Sequence, residues 1–337
     1  MIKFKKPNVN KAVIVSSNYS HKHFIIKSKL YLCPLFKTHI MTKNNILKGV
    51  LYVGCGAASY GMLATFVKLA YGQGYTTAEV TSSQILLGLL GMFLIYSFRK
   101  KSSEASMLKS SRKDKTQLIL AGTSMGFTSV FYYVAVKYIP VSIAIVLLMQ
   151  TVWIGVLLEW ALSKVVPSAK KIIAIVIVLA GTLLATNLIN SDVTTDWHGL
   201  AWGLAAAVSF TTTMFAGNSI ATHLTAPHRS LFMLMGGTIV VLCFTAFTWP
   251  GSFNFAIVTT WGIPLALFGT ILPPLLLNAG FPKTGLGLGS IVSSIELPVS
   301  VTMAYFILNE PVNLWQWLGI AFILGAVVLL NVGNSKQ

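Results

Sequence analysis

Residues 285–311 read "GLGLGSIVSSIELPVSVTMAYFILNEP". The stretch is apolar for the length of a membrane crossing, yet Glu296 stands near its middle and Pro298 two residues later. Strict alternation of apolar and polar residues is absent, so the segment is a predicted helix rather than a half-buried strand. About 20 apolar residues cross a hydrocarbon core. Within a span of residues 285–308, Glu296 lies roughly 18 Å from either end at 1.5 Å per residue. That is too deep for its carboxylate to reach water along its own stem. An acidic group there costs about 2.5–3.5 kcal/mol on insertion scales, so it faces the bundle interior or a wet cavity. Two roles fit: a proton-titrating or amine-binding group at the midplane, or a polar contact between helices. Pro298 is expected to kink the helix and to leave the carbonyl of Ser294 without its helical partner.

The rest of the chain is of the same kind. Of its 337 residues 55% are hydrophobic and 10% charged, and the mean hydropathy is +0.73. Soluble domains carry roughly 25% charged residues, so the composition is that of an integral membrane protein. In lipid the backbone must satisfy its own hydrogen bonds, and these long unalternating runs do so as helices. The fold class is all-α integral membrane. Ten spans are predicted, near residues 46–71, 78–98, 117–138, 140–162, 170–188, 198–222, 230–249, 261–281, 285–308 and 313–333.

The net charge of +17 is distributed by side. With ten spans, every Lys and Arg except Lys68 and Lys137 falls in the tail or in loops on one face. The positive-inside rule puts that face, and both termini, in the cytoplasm. Arg229 and Lys283 are assigned to those inner loops, and Asp192 and Asp196 to the outside. Trp197, Trp249, Trp261, Trp315 and Trp317 gather at the outer helix ends as an interfacial belt. The basic charge is thus topological, which argues against a nucleic-acid partner. Residues 1–45 are expected to be a disordered basic cytoplasmic tail, or a start assigned too early with Met41 the true one. A membrane-surface amphipathic segment is the lesser alternative.

An internal repeat is legible. "KGVLYVGCGAASYGMLATFVK" from Lys48 aligns with "HGLAWGLAAAVSFTTTMFAGN" from His198, placing Tyr60 on Phe210 and Lys68 on Asn218. "LLMQTVWIGVLLEWALSK" aligns with "SSIELPVSVTMAYFILNE", placing Gln150 on Glu296 and Lys164 on Glu310. The units are residues 46–188 and 198–333. An odd number of spans in each makes the second copy enter from the opposite side. Inverted repeats around a midplane site characterise many secondary transporters.

The duplication, the "KG" entry to the first unit and the proline followed by an Asn–Glu ending near span nine resemble the EamA-type families of the drug/metabolite transporter superfamily. The resemblance covers about residues 46–333. It implies a carrier of small metabolites such as amino acids, with export the expected direction and the inner membrane the expected site. Three positions depart from the family pattern: Gln84 where an early arginine is common in span two, Lys164 where Glu is favoured, and Val152 opposite Pro298.

The candidate substrate or translocation residues are Glu296, its repeat-mate Gln150, Asn278, Asn218, Thr211, Tyr132, Trp153 and Ser293. Each also fits plain helix–helix contact, worth about 0.6 kcal/mol on average. Neighbouring Tyr132 and Tyr133 are not expected to face one pathway together. Lys68 with Glu79 is a candidate outer ion pair or gate. Glu159, one to two turns from Lys164, is a candidate inner one. Paired small residues such as Gly88 and Gly91, or Gly122 and Gly126, allow close helix approach.

Other classes fit poorly. Cys33, Cys55 and Cys243 form no metal or disulfide pattern, and no nucleotide loop is present. The six histidines lie in the tail or near span ends, away from any carboxylate pair, which disfavours a lipid-modifying transferase. No cofactor is expected. The expected partners are a small solute, the bilayer and protons, in a monomer or homodimer; an uncoupled channel remains the other membrane alternative.

Overall fold

A computed structural model of the chain describes residues 43–102, 110–135, 138–139, 141–186, 196–249, 251–309 and 311–333. The basic tail before residue 43, Lys137 and Glu310 lie outside these. Among the described residues every regular element is a helix. In order they are α1 (Lys43–Gly72), α2 (Thr77–Ser102), α3 (Arg112–Ala135), α4 (Val141–Leu148), α5 (Thr151–Ser163), α6 (Ala169–Ala185), α7 (Trp197–Ser219) and α8 (Ala226–Phe247). They continue with α9 (Ala256–Thr260), α10 (Gly262–Ala266), a π-helical turn (Leu267–Ile271), α11 (Leu272–Thr284), α12 (Leu286–Ser293), α13 (Glu296–Leu308) and α14 (Leu314–Gly333).

Eight helical stretches are long and apolar enough to cross a membrane, counting α4–α5, α10–α11 and α12–α13 each as one. Two further apolar helices are α6, with 17 residues, and α14, with 20. The outward faces are apolar, as lipid requires. On α2, Leu86, Leu90, Phe93 and Leu94 recur at helical spacing and are all exposed.

Helix starts follow their sequence signals. Thr76 and Glu79 form a reciprocal capping box at α2: the Thr76 N–H donates to Glu79 Oε2 at 2.7 Å, and the Glu79 N–H to Thr76 Oγ1 at 3.3 Å. Ser111 with Asp114 does the same for α3, and Asn313 with Gln316 for α14. The two broken spans end alike. Lys164 closes α5 at φ 59° and Asn309 closes α13 at φ 53°, each in the left-handed cap conformation.

Glycine sets the closest helix approaches. A Cβ on Gly122 of α3 would fall on the Met233 carbonyl of α8, and one on Gly236 of α8 on the Ile119 carbonyl. Gly49 of α1 and Gly280 of α11 lie against each other's backbones, as do Gly181 of α6 and Gly319 of α14. Gly88 of α2 admits Thr270 of the π-helical turn, whose hydroxyl donates to the Gln84 carbonyl at 3.0 Å. Pro273 and Pro274 follow that turn and lack the N–H groups that α-helical pairing would use there.

The break around Glu296 differs from its expected form. Ser294 and Ile295 form a turn between α12 and α13. The Ser294 carbonyl is not left open by Pro298; it accepts from the Leu297 N–H at 3.2 Å. The chain has tightened to a three-residue turn, which recovers the bond that proline would remove. Moreover, α4 and α5 are broken in the same way at Met149–Gln150, where the Gln150 N–H donates to the Leu147 carbonyl at 3.0 Å. That span has Val152 in place of Pro298. Proline is therefore not the common cause of the breaks.

Candidate functional site

Glu296 is the first residue of α13, half-buried at the break. Its carboxylate has no hydrogen bond or ion pair among the described residues. Two tyrosines from other elements come within its electrostatic reach: Tyr60 of α1 and Tyr132 of α3. Tyr60 is held there by backbone packing. The next residue, Gly61, has no side chain, and a Cβ on it would meet the Glu296 carbonyl and lie 2.9 Å from Val299 Cβ. Tyr132 meets Tyr133 edge-on at 6.2 Å. Tyr133 engages Tyr71 and Thr81 instead of Glu296, so the two adjacent tyrosines divide as helical geometry requires.

Tyr60 also meets Phe210 of α7 edge-on, with ring centroids 6.3 Å apart. These two residues align in the repeat. They border a cavity of about 20 Å³, room for roughly one water. Met125, Met214, Met233 and Phe281 line it, and Asn278 supplies an amide. Of the residues expected to bind substrate, Asn278 alone lines this cavity; Glu296 does not, and α1 lies between them, with Tyr60 on the cavity and Gly61 against the Glu296 carbonyl.

Most other candidates make ordinary internal contacts. Gln150 donates from Nε2 to the Val146 carbonyl at 2.9 Å and accepts from Trp153 Nε1 at 2.7 Å, so two candidates satisfy each other. Thr211 is buried and shares a 2.7 Å hydrogen bond with Thr151, joining α7 to α5. Ser293 donates to the Gly289 carbonyl of its own helix at 2.9 Å. Asn218 donates to neighbouring Ser219 at 3.1 Å and does not line the cavity.

Both expected ion pairs are replaced. Glu79 does not pair with Lys68. Lys68 is exposed, whereas Glu79 is buried and saturated by Thr76 and by the Asn254 N–H at 2.6 Å. Glu159 pairs with Lys171 at 2.6 Å rather than with Lys164, because Lys164 occupies the left-handed cap and points into solvent. The Glu159–Lys171 pair rests on the glycine run that opens α12. A side chain on Gly287 would fall on Glu159 Oε2 and 3.2 Å from Lys171 Nζ.

Arg229 is the main residue that sequence inspection misplaces. It is not in a solvated loop but in the first turn of α8, 1% exposed. Nε donates to the Ile220 carbonyl at 3.0 Å, Nη1 to the Asn278 carbonyl at 2.7 Å, and Nη2 to the Ala216 (3.2 Å) and Gly217 carbonyls. It caps the C-terminus of α7, satisfying carbonyls that end a helix without partners, and ties it to α11. The Asn278 side chain completes the joint by donating to Ser230 Oγ at 2.9 Å. The available signal was the repeat: Arg229 falls on Glu79 at the same offset that aligns Tyr60 with Phe210.

Comparison with known proteins agrees with this architecture. The EamA-like transporter family matches twice, over residues 47–187 and 197–332. The chain is 28% identical over 193 residues to the uncharacterized transporter YetK of Bacillus subtilis (strain 168), covering 55% of this chain and 57% of that protein. It is 26% identical to the uncharacterized inner membrane transporter YicL of Salmonella typhimurium, covering 86% and 97%. It is 23% identical to the uncharacterized transporter sll1319 of a Synechocystis strain, covering 86% and 94%. A solved crystal structure shares the fold with a TM-score of 0.66 at 15% identity, covering 85% of this chain and 97% of that one. Two family matches spanning the helical region place this multi-pass membrane protein in the EamA-like transporter family.

Proposed function

We propose that the chain is a secondary transporter that moves a small polar metabolite across the inner membrane by alternating access, in the export direction, with protons as the coupling ion. Ten crossings form two five-helix units of opposite orientation, with α6 and α14 as the last member of each and both termini in the cytoplasm. The pairing between units supports this: α3 packs on α8, and the repeat-equivalent pair, α2 with the α10–α11 span, packs likewise. The matched breaks at Met149–Gln150 and Ser294–Ile295 support it as well.

One observation carries the mechanism: the Glu296 carboxylate stands in the middle of a span with no ionic or hydrogen-bond partner among the described residues. A carboxylate kept there can bind either a proton or the substrate. Competition for that one site couples the two flows. Tyr60 and Asn278 line the adjoining path, and Gln150 with Trp153 holds the repeat-equivalent break.

The test is reconstitution of the full chain in vesicles that enclose a pH-sensitive dye, followed by single-metabolite gradients from a library. A solute that the protein carries should move protons and should also exchange labelled for unlabelled molecules, which an uncoupled channel does not do. Glu296→Gln should lose the proton movement and, because the substrate uses the same carboxylate, exchange with it. Equal pH responses from the two proteins would remove Glu296 from the coupling step.

A further inference from the structure

Building on the carrier assignment, we propose that the site beside Glu296 selects organic cations, namely amines with an aromatic or branched aliphatic body, and rejects zwitterions and carboxylates. The case rests on where the charges of the bundle are already committed. Glu79 is held by Thr76 and Asn254, Glu159 by Lys171, and Asp114 by Ser111 with His223 at 3.5 Å. Arg229 donates to four backbone carbonyls, which occupies four of its five N–H groups in a fixed fork. Lys283 donates to the Ala279 carbonyl at 2.7 Å and lies over the Tyr52 ring at 5.4 Å. Lys48 and Lys68 are exposed towards the two ends of α1. Of the acidic groups named here, the Glu296 carboxylate is the one with no hydrogen bond or ion pair among the described residues.

A carboxylate ligand arriving there would meet like charge, with no cation turned towards it to neutralise it. An ammonium group would meet a carboxylate, beside the segment of α1 whose Gly61 packs on the Glu296 carbonyl and whose Tyr60 ring borders the cavity. Aromatic faces attract cations. The adjoining cavity is apolar except for Tyr60, Asn278 and Thr213, and three of its walls are methionines. Methionine is flexible and polarizable and adapts to different apolar shapes. In this conformation the cavity is too small for an organic ligand, so the amine body enters as the methionine and Phe281 side chains give way.

The test uses three probes with one aromatic body: phenethylamine, phenylalanine and 3-phenylpropanoate. Thermal shift on the purified full-length protein should find stabilisation by phenethylamine and at least tenfold weaker binding of the other two. Glu296→Gln should lose the phenethylamine shift. Glu296→Asp, which keeps the charge, should retain a part of it, with unliganded melting temperatures checking that both variants fold. Counterflow in vesicles then separates the two assignments. Phenethylamine exchange supports both. Phenylalanine exchange without phenethylamine exchange overturns the cation selectivity and leaves the carrier standing. Phenethylamine binding without exchange supports the site and overturns the carrier. No phenethylamine shift, or a shift retained in Glu296→Gln, overturns the cation site.

Discussion

At the scale of single residues, the two most informative side chains carry opposite charge and opposite commitments. Arg229 is saturated by backbone carbonyls from α7, the turn after it and α11. Hydrogen bonds to charged groups contribute roughly 1.5–3 kcal/mol each. Arg229→Lys should therefore destabilise the protein by about 3 kcal/mol or more, because an ammonium cannot reproduce the fork. Chemical denaturation in detergent measures this, and parent-like stability would contradict the capping role. Glu296 is the reverse case, a charge left free. It was legible in the sequence because a carboxylate inside an apolar run must be turned to the bundle interior or a wet cavity. Arg229 was not, because "APHRS" reads as a loop and its partners are carbonyls, which leave no mark on composition. Gln150 and Trp153 were each legible as polar groups at depth, but their bond to each other was not.

At the scale of elements, the broken spans matter more than the straight ones. The proline in α13 invited a causal account, yet α4–α5 breaks at the equivalent place without one. Pro298→Ala should consequently preserve the break and change stability by less than about 1.5 kcal/mol. A loss of several kcal/mol would restore proline as the cause. The glycine facing the break is a different matter. Gly61→Ala places a methyl on the Glu296 carbonyl, with Val299 and Ser300 as backing. It should push α1 from α13 and cost about 1–3 kcal/mol, with a loss of transport exceeding the loss of folded protein. Gly122→Val should do the same between α3 and α8, where its contacts are Met233 backbone atoms, and should also displace the cavity wall that Met233 forms. Small-residue pairing was visible in the sequence as spacing. Which helices each pair joins was not, because partner choice is a property of tertiary packing.

At the scale of the whole molecule, helix positions were the most legible feature, since length and apolarity dictate them in lipid. Ten spans were expected; among the described residues eight stretches meet the length and apolarity of a crossing, and α6 with 17 residues and α14 with 20 are two further apolar helices. Relating the two halves rests on residue pairs such as Tyr60 with Phe210, which align in sequence and touch in space. Opposite insertion of the halves is the central claim, and the two left-handed caps make the sharpest probes of it. Single cysteines at Lys164 and at Asn309, in a background with Cys33, Cys55 and Cys243 replaced by serine, can be challenged in intact cells with a membrane-impermeant maleimide. Opposite insertion predicts that the cysteine at 309 reacts from outside and the one at 164 only after the membrane is permeabilised. Reaction of both from the same side would contradict it.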